Sequence, residues 1–205
     1  MNYFLIFLFS YLFGAIPFGL LIGWSQGKDI RKEGSGNIGA TNVTRVVGKT
    51  AGRICFALDF LKGMLPVMAA ARIMGSADGL ALLLAGAAAV AGHMYPVYLK
   101  FKGGKGISTA AGVTVALAPG ALLFAGTVWV VTFFVSRYVS LASILAAAML
   151  PVAATGIYFW RGGMSPLVLV FFYLIGVVAI LKHRSNIERL RNGTELRFGG
   201  KPKGK

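Results

Sequence analysis

The chain has 205 residues, of which 57% are hydrophobic and 13% are charged, and its net charge is +15. Soluble domains carry about 25% charged residues, so this composition excludes an ordinary soluble protein and indicates an integral membrane protein. In such a protein the 21 Lys and Arg residues gather in cytoplasmic loops and tails, which disfavours nucleic-acid binding.

The first predicted element is a transmembrane helix over residues 2–24. This run exceeds the roughly 20 apolar residues that a bilayer span requires, and it lacks the positively charged start of a signal peptide. The later apolar runs predict an all-α membrane protein. They cover residues 52–74, 79–99, 107–135, 139–160 and 164–181.

The first long loop, residues 25–51, contains the stretch GSGNIGATNVTR. GSGNIG fits the dinucleotide fingerprint as a string, but that motif needs a strand before it in a β-α-β unit. Here a membrane helix precedes it. Glycine-rich backbone can instead form a concavity whose amides bind an anion, so we predict a phosphate-binding loop rather than a linker. The candidate contacts are Gly34, Ser35, Gly36, Asn37, Thr41, Asn42 and Arg45.

Two charged residues, Asp59 and Lys62, lie three positions apart inside the 52–74 run. This spacing places them on one helical face, so we expect a buried ion pair, with a role in the substrate pocket as the alternative. The single cysteine, Cys55, excludes an intramolecular disulfide and is expected to be a small buried residue.

The second loop, residues 100–105, ends in a tight basic turn at the predicted start of a helix. It is not a Walker A motif, because a serine or threonine must follow the lysine and a glycine does so here. Exposed amides and the positive end of the helix dipole still favour an anion. Lys100 is expected to be an ordinary membrane anchor. The predicted phosphate contacts are Gly103, Gly104, Lys105 and Gly106.

The basic residues concentrate in residues 25–53, in residues 100–105 and from Lys182 onward. These regions are therefore expected in the cytoplasm, and the N-terminus outside. The chain must then cross the membrane an even number of times between the second loop and Lys182, although only three apolar runs lie there. The turn signal at Pro119 resolves the mismatch by splitting one run into two short helices, 106–117 and 120–135. Seven transmembrane helices result.

In the segment after the last run, KHRSNIERLRNGTE, His183 and Asn186 lie three positions apart. This spacing places them on one helical face at the end of the last membrane helix. The alternating charged and apolar residues that follow predict an amphipathic helix on the membrane surface. His183 is a candidate base, phosphate donor or structural residue. The chain has only two histidines and one cysteine, so metal catalysis is poorly supported.

The three polar regions are rich in anion donors and poor in general bases. This suits an enzyme acting on a phosphate-bearing substrate with a good leaving group. The competing class is a transporter or channel for a phosphorylated metabolite, but the sequence has no internal repeat and its polar motifs share one side. A purely structural membrane protein is a third alternative, which would not need the basic glycine-rich loops.

The stretches GSGNIGATNVTR, GHMYPVYLKFKGGKG and HRSNIERL, in this order, resemble the three motifs of the bacterial PlsY family of acyl-phosphate:glycerol-3-phosphate acyltransferases. The resemblance implies a seven-helix fold in the bacterial inner membrane with a cytoplasmic active site. It implies transfer of a fatty acyl group from acyl-phosphate to the 1-hydroxyl of sn-glycerol 3-phosphate, giving lysophosphatidic acid and phosphate. No cofactor or metal is expected, and a soluble enzyme that makes acyl-phosphate is the expected functional partner.

By this resemblance a serine in SRYVSLAS also takes part, and we favour Ser143 because Ser140 is placed to be a helix N-cap. The donor's own phosphate can take the hydroxyl proton, so an enzyme base is not required. The catalytic residues implied by the family are Ser35, Arg45, Lys105, His183 and Asn186.

Residues 1–199 are predicted to form a single polytopic membrane domain. Residues 200–205, rich in glycine and lysine, have no counterpart in the motifs and are expected to be a disordered tail. The cytoplasmic parts of the domain are expected to be residues 25–51, 100–105 and 136–140 and the tail 182–199.

Overall fold

The computed structural model describes residues 2–199, apart from the side chain of Arg161. The predicted disordered tail, residues 200–205, lies outside the described residues. The chain divides into two compact units, Met1–Leu117 and Ala118–Lys205. The prediction of a single membrane domain stays a prediction.

The first unit is built from six α-helices and one short 3₁₀ helix within the described residues. In chain order they are α1 Tyr3–Gly14, α2 Phe18–Ser25, α3 Ala40–Val46, α4 Lys49–Met74, α5 Gly79–Met94, the 3₁₀ helix Val97–Leu99, and α6 Ile107–Leu117.

The second unit contains four described α-helices. They are α7 Pro119–Ser136, α8 Val139–Arg161, α9 Pro166–Lys182 and α10 Arg184–Arg191.

The first predicted span is confirmed, but it is not one continuous helix. Tyr3–Ser25 is long and apolar enough to cross a membrane, and it is interrupted between α1 and α2 at Pro17. Proline lacks a backbone N–H and disfavours the helical conformation in the residue before it. The region 25–51, predicted as a loop, also contains the helix α3.

The predicted break before Pro119 is confirmed, because α6 ends at Leu117 and α7 begins at Pro119. Five segments of the described chain are long and apolar enough to cross a membrane, and α9 with α10, bent by 54°, brings the number to six. The 11-residue α6 is too short for this test. The count of seven spans therefore stays a prediction.

Small residues let the helices of the first unit approach closely. A side chain at Gly14 of α1 would overlap the backbone of Ala89 in α5, and one at Gly63 of α4 would overlap the backbone of Thr109 in α6. Such small-residue contacts are typical of helices packed in lipid, where van der Waals contact rather than the hydrophobic effect holds them together. They place α4 beside α6, and α1 beside α5.

The segment after α10 is anchored inside the second unit. The Phe198 N–H donates to the Arg137 carbonyl, which lies between α7 and α8, at 2.8 Å, and the Phe198 ring packs edge-on against Phe133 at 5.4 Å.

The outer faces of α7 are strongly apolar, with Val135 82% and Leu123 73% exposed. Lipid, not water, is the solvent that such faces suit.

Candidate active site

The first loop is anchored by an apolar cluster at its base. Ile30 and Ile38 from the loop are buried together with Val43 of α3, Leu20 of α2 and Cys55 of α4. Cys55 is thus a buried packing residue, as predicted. Leu99, from the 3₁₀ helix just before the second loop, packs against the same cluster. Both glycine-rich loops of the first unit are therefore supported by shared packing.

Asn42 determines the conformation of the first loop. Its Oδ1 accepts the Ser35 N–H at 2.8 Å, while its Nδ2 donates to the carbonyls of Ile30 at 2.8 Å and Glu33 at 3.1 Å. Gly34 has φ +61°, and a Cβ there would overlap the Asn42 side-chain oxygen. The loop therefore needs glycine at this position, and the buried amide serves the loop backbone.

The other predicted residues of this loop are more accessible. Ser35 and Gly36 are exposed, and Thr41 and Arg45 of α3 are half-buried. Asn37 accepts the Gly39 N–H at 2.9 Å just before α3 begins, which satisfies one backbone donor at the helix start. Asn37 and Asn42 thus shape the backbone of the loop.

The second loop rests on the end of α5. The Gly104 N–H donates to the His93 carbonyl at 3.1 Å, and a Cβ on Gly104 would overlap the imidazole Nε2 of His93. Gly106 has φ +83°, a conformation that favours glycine. Lys105 is half-buried and lies two residues before α6, where the helix dipole favours negative charge.

The predicted ion pair of Asp59 and Lys62 is confirmed. The Lys62 Nζ lies 2.7 Å from the Asp59 Oδ1, and both side chains are almost fully buried. Lys62 also donates to the Ile16 carbonyl at 2.7 Å, at the break between α1 and α2. A third member, His93, was not predicted from the sequence; its Nδ1 lies 3.6 Å from the same carboxylate oxygen.

In the second unit, His183 lies at the bend between α9 and α10 and is buried. Its Nδ1 is 2.7 Å from the Ala179 carbonyl. A carbonyl oxygen only accepts hydrogen bonds, so Nδ1 carries the proton. In the neutral ring Nε2 then holds a lone pair that can accept a hydrogen bond.

Asn186 is held by the carboxylate of Glu195, which was not among the predicted site residues. Its Nδ2 donates to the Glu195 Oε1 at 2.7 Å, and the Ser140 hydroxyl donates to the same oxygen at 2.7 Å. The Arg189 Nε donates to the Glu195 Oε2, also at 2.7 Å. Glu195 thereby connects α8 with α10. Its position nine residues after Asn186 gave no periodic signal that could have identified it.

The electrostatics of Glu195 follow from these contacts. Burial raises the pKa of its carboxyl, but the hydrogen bonds from Ser140, Asn186 and Arg189 outweigh burial and lower the pKa below its usual range. The group is therefore an ionised acceptor at neutral pH rather than a proton donor.

Of the two serines near the start of α8, Ser140 differs from what the sequence suggested. The N-cap of α8 is Tyr138, so the expectation that Ser140 is the N-cap is wrong. Ser140 instead lies inside the helix and binds Glu195. Ser143 is also buried; its hydroxyl donates to the Val139 carbonyl at 2.8 Å and accepts the Trp129 Nε1–H at 3.1 Å.

Among the residues that the structure describes, no group of three or more His, Cys, Asp and Glu side chains could hold a metal ion. The first unit contains loop amides, Arg45 and Lys105, which are groups that can donate hydrogen bonds to an anion. The chemistry in the second unit is hydrogen bonding by His183 and Asn186.

These features define a helical membrane protein with glycine-rich polar loops, and comparisons with known proteins identify the family. The family model for glycerol-3-phosphate acyltransferase matches residues 4–193. The chain therefore belongs to the glycerol-3-phosphate acyltransferase family.

Individual relatives agree with this assignment. The chain is 46% identical over 191 residues to the glycerol-3-phosphate acyltransferase of Aquifex aeolicus (strain VF5), covering 93% of this chain and 96% of the relative. It is 49% identical over 189 residues to that of Trichlorobacter lovleyi, covering 92% and 94%.

Two solved structures are also similar. Both are crystal structures of PlsY (YgiH), an integral membrane glycerol 3-phosphate acyltransferase. The glycerol 3-phosphate form has a TM-score of 0.88 and 45% identity, covering 96% of each chain. The lysophosphatidic acid form has a TM-score of 0.85 and 44% identity, covering 96% of this chain and 95% of the other. This chain is accordingly an integral membrane protein that lies in a lipid bilayer.

Proposed function

We propose that this chain transfers a fatty acyl group from acyl-phosphate to the 1-hydroxyl of sn-glycerol 3-phosphate, giving lysophosphatidic acid and inorganic phosphate. The observation that carries the proposal is the 45% identity, over nearly the whole chain, to an enzyme solved in a glycerol 3-phosphate form and a lysophosphatidic acid form. Those two ligands are the acceptor and the product of this reaction. A soluble enzyme that makes acyl-phosphate is the partner that the donor requires.

The two loops of the first unit are proposed to hold the phosphate groups of the two substrates. Arg45 presents a planar fork of donors that suits phosphate oxygens, and Lys105 lies at the positive end of α6. Ser35, beside Gly34 and Gly36, adds a hydroxyl from a loop whose backbone Asn42 fixes. Groups fixed in this way stabilise developing charge without reorganising during the reaction.

The proposed step is a direct acyl transfer. The 1-hydroxyl oxygen of glycerol 3-phosphate attacks the carbonyl carbon of the mixed anhydride, the new ester bond forms, and the bond from that carbon to the phosphate oxygen breaks. The hydroxyl proton leaves with the departing phosphate. Phosphate is a good leaving group, so the protein's contribution is positioning and charge stabilisation, and no enzyme base is needed.

In the second unit, His183 and Asn186 are proposed to orient the substrate. The lone pair on His183 Nε2 can accept a hydrogen bond, and Glu195 holds the Asn186 amide. A true base would behave differently from an orienting residue. For His183→Ala, a fall in kcat greater than about 10⁴-fold with an unchanged KM would contradict the base-free step. Ser143→Ala and Ser140→Ala, measured side by side, test which serine takes part.

The reaction is tested with purified protein in lipid vesicles supplied with acyl-phosphate and glycerol 3-phosphate. We expect equal amounts of phosphate and lysophosphatidic acid, and none when acyl-CoA replaces acyl-phosphate. Lys105→Met and Arg45→Met should each abolish most of the product. If no phosphate is released and labelled glycerol 3-phosphate enters the vesicles instead, the chain is a transporter and the proposal is wrong.

We also propose seven spans, with the N-terminus outside, the C-terminus in the cytoplasm and the active site facing the cytoplasm of the bacterial inner membrane. The distribution of Lys and Arg supports this orientation. Because the chain has one cysteine, Cys55→Ala gives a clean background for labelling introduced cysteines. An impermeant maleimide added outside intact cells should label Ala77→Cys and spare Lys32→Cys and Arg191→Cys. The reverse pattern would refute the orientation.

A further inference from the structure

A buried polar cluster in the first unit has no role in the step described above. Asp59 and Lys62 of α4 and His93 of α5 are 2%, 1% and 4% exposed. Burying an ion costs several kcal/mol unless good partners surround it, and ionisable residues inside membrane helices usually mark a functional element. The surroundings of the cluster indicate which element it serves.

On one side, the cluster is fixed to the helical scaffold. Asp59 and Lys62 form their ion pair within α4, and Lys62 binds the Ile16 carbonyl at the break after α1. The Lys62 ammonium also lies over the ring of Phe18, at 5.5 Å from its centroid. These contacts hold the Asp59 carboxylate in a defined place.

On the other side, the cluster reaches the second glycine-rich loop through His93. The imidazole Nδ1 faces Asp59 at 3.6 Å, and Nε2 lies where a side chain on Gly104 would be. The carbonyl of His93 also accepts the Gly104 N–H. One residue at the end of α5 therefore stands between a fixed carboxylate and the turn that carries Lys105.

We propose that Asp59 and His93 are positioning residues that hold the Gly103–Gly104 turn in its phosphate-binding conformation. Neither is proposed to touch substrate. Asp59 orients the imidazole of His93, and the imidazole packs against Gly104. The loop amides and Lys105 can then bind the phosphate without first rearranging. The inference rests on the proposed function of this loop and deepens it.

The test compares KM and kcat for each substrate, with the other saturating, in vesicle-reconstituted protein. His93→Leu removes the polar ring, and Asp59→Asn removes the charge that orients it. We expect each to raise the KM of one substrate by about 10-fold while kcat and the other KM change by less than about 3-fold. The affected substrate should be the one whose KM rises in Lys105→Gln.

His93→Asn provides the conservative variant, because its amide nitrogen can take the place of Nδ1 beside the Asp59 carboxylate. Its KM should lie between those of wild type and His93→Leu. If His93→Leu does not fold, His93→Asn is compared with wild type instead. Thr114→Val is the matched control. It removes a buried hydroxyl of α6 that donates only to the Ala110 carbonyl in its own helix, and it should leave both KM values unchanged.

A double-mutant cycle separates positioning from general destabilisation. If His93 acts through the loop, His93→Leu should add less than about 3-fold to the KM of Lys105→Gln, because neighbouring groups that act as a unit are not additive. Full additivity, equal rises in both KM values, or a lowered Tm with normal kinetics would overturn the inference. Wild-type protein without any transferase activity would instead refute the proposed function.

Discussion

Replacing Glu195 by alanine is expected to destabilise the second unit strongly. The change removes the acceptor for the Ser140 hydroxyl and for the Asn186 amide, both of which are buried. The Arg189 side chain is 39% exposed, so water can replace its lost partner. The cost therefore comes from two buried donors rather than three.

The size of the effect follows from those two donors. A buried polar group left without a partner costs about 1–3 kcal/mol, so Glu195→Ala should lower the free energy of unfolding by about 2–6 kcal/mol. Activity should fall as well, because Asn186 is no longer held. Glu195→Gln preserves the size of the side chain and one carbonyl acceptor, and should cost less than the alanine variant.

The assay is thermal unfolding in detergent, followed by kinetics on the fraction that stays folded. Glu188→Ala is the matched control, since it removes the same residue type from an exposed position of α10, and it should change stability by less than about 0.5 kcal/mol. If Glu195→Ala unfolds like Glu188→Ala and keeps its kcat, the network does not hold Asn186 and the reasoning is refuted.

Three further predictions concern the same elements. Asn42→Ala should raise a substrate KM at least about 10-fold in steady-state kinetics, because the loop loses three hydrogen bonds; an unchanged KM would contradict this. Gly104→Ala should lower activity through overlap with His93, whereas Gly126→Ala, in open space, should not. The pKa of the Glu195 carboxyl is lower in the folded protein than in the unfolded chain, so this carboxylate stabilises the fold at pH values above its unfolded pKa. That stability is lost as the pH falls through the folded pKa. At pH values below about 4, the Tm of the wild type should therefore fall more than the Tm of Glu195→Gln.

The sequence by itself determined the class of protein and most of its helices. Apolar runs of about 20 residues are typical of helices that cross a lipid bilayer. Pro119 interrupts one of these runs, because proline disfavours the helical conformation in the residue before it. It also located both glycine-rich loops of the first unit, since positive charge and glycine together favour an anion. The Asp59–Lys62 pair was predictable because both residues lie on one face of one helix.

Only the tertiary structure decided what the polar side chains of the site bind. Asn42 serves the loop backbone, Glu195 holds Asn186 and Ser140, and His93 supports Gly104. In each case the partner lies outside the helix that carries the polar side chain, and no periodic pattern encodes such contacts. Helix periodicity records which residues share a face, whereas the neighbour of that face is fixed only when the helices pack.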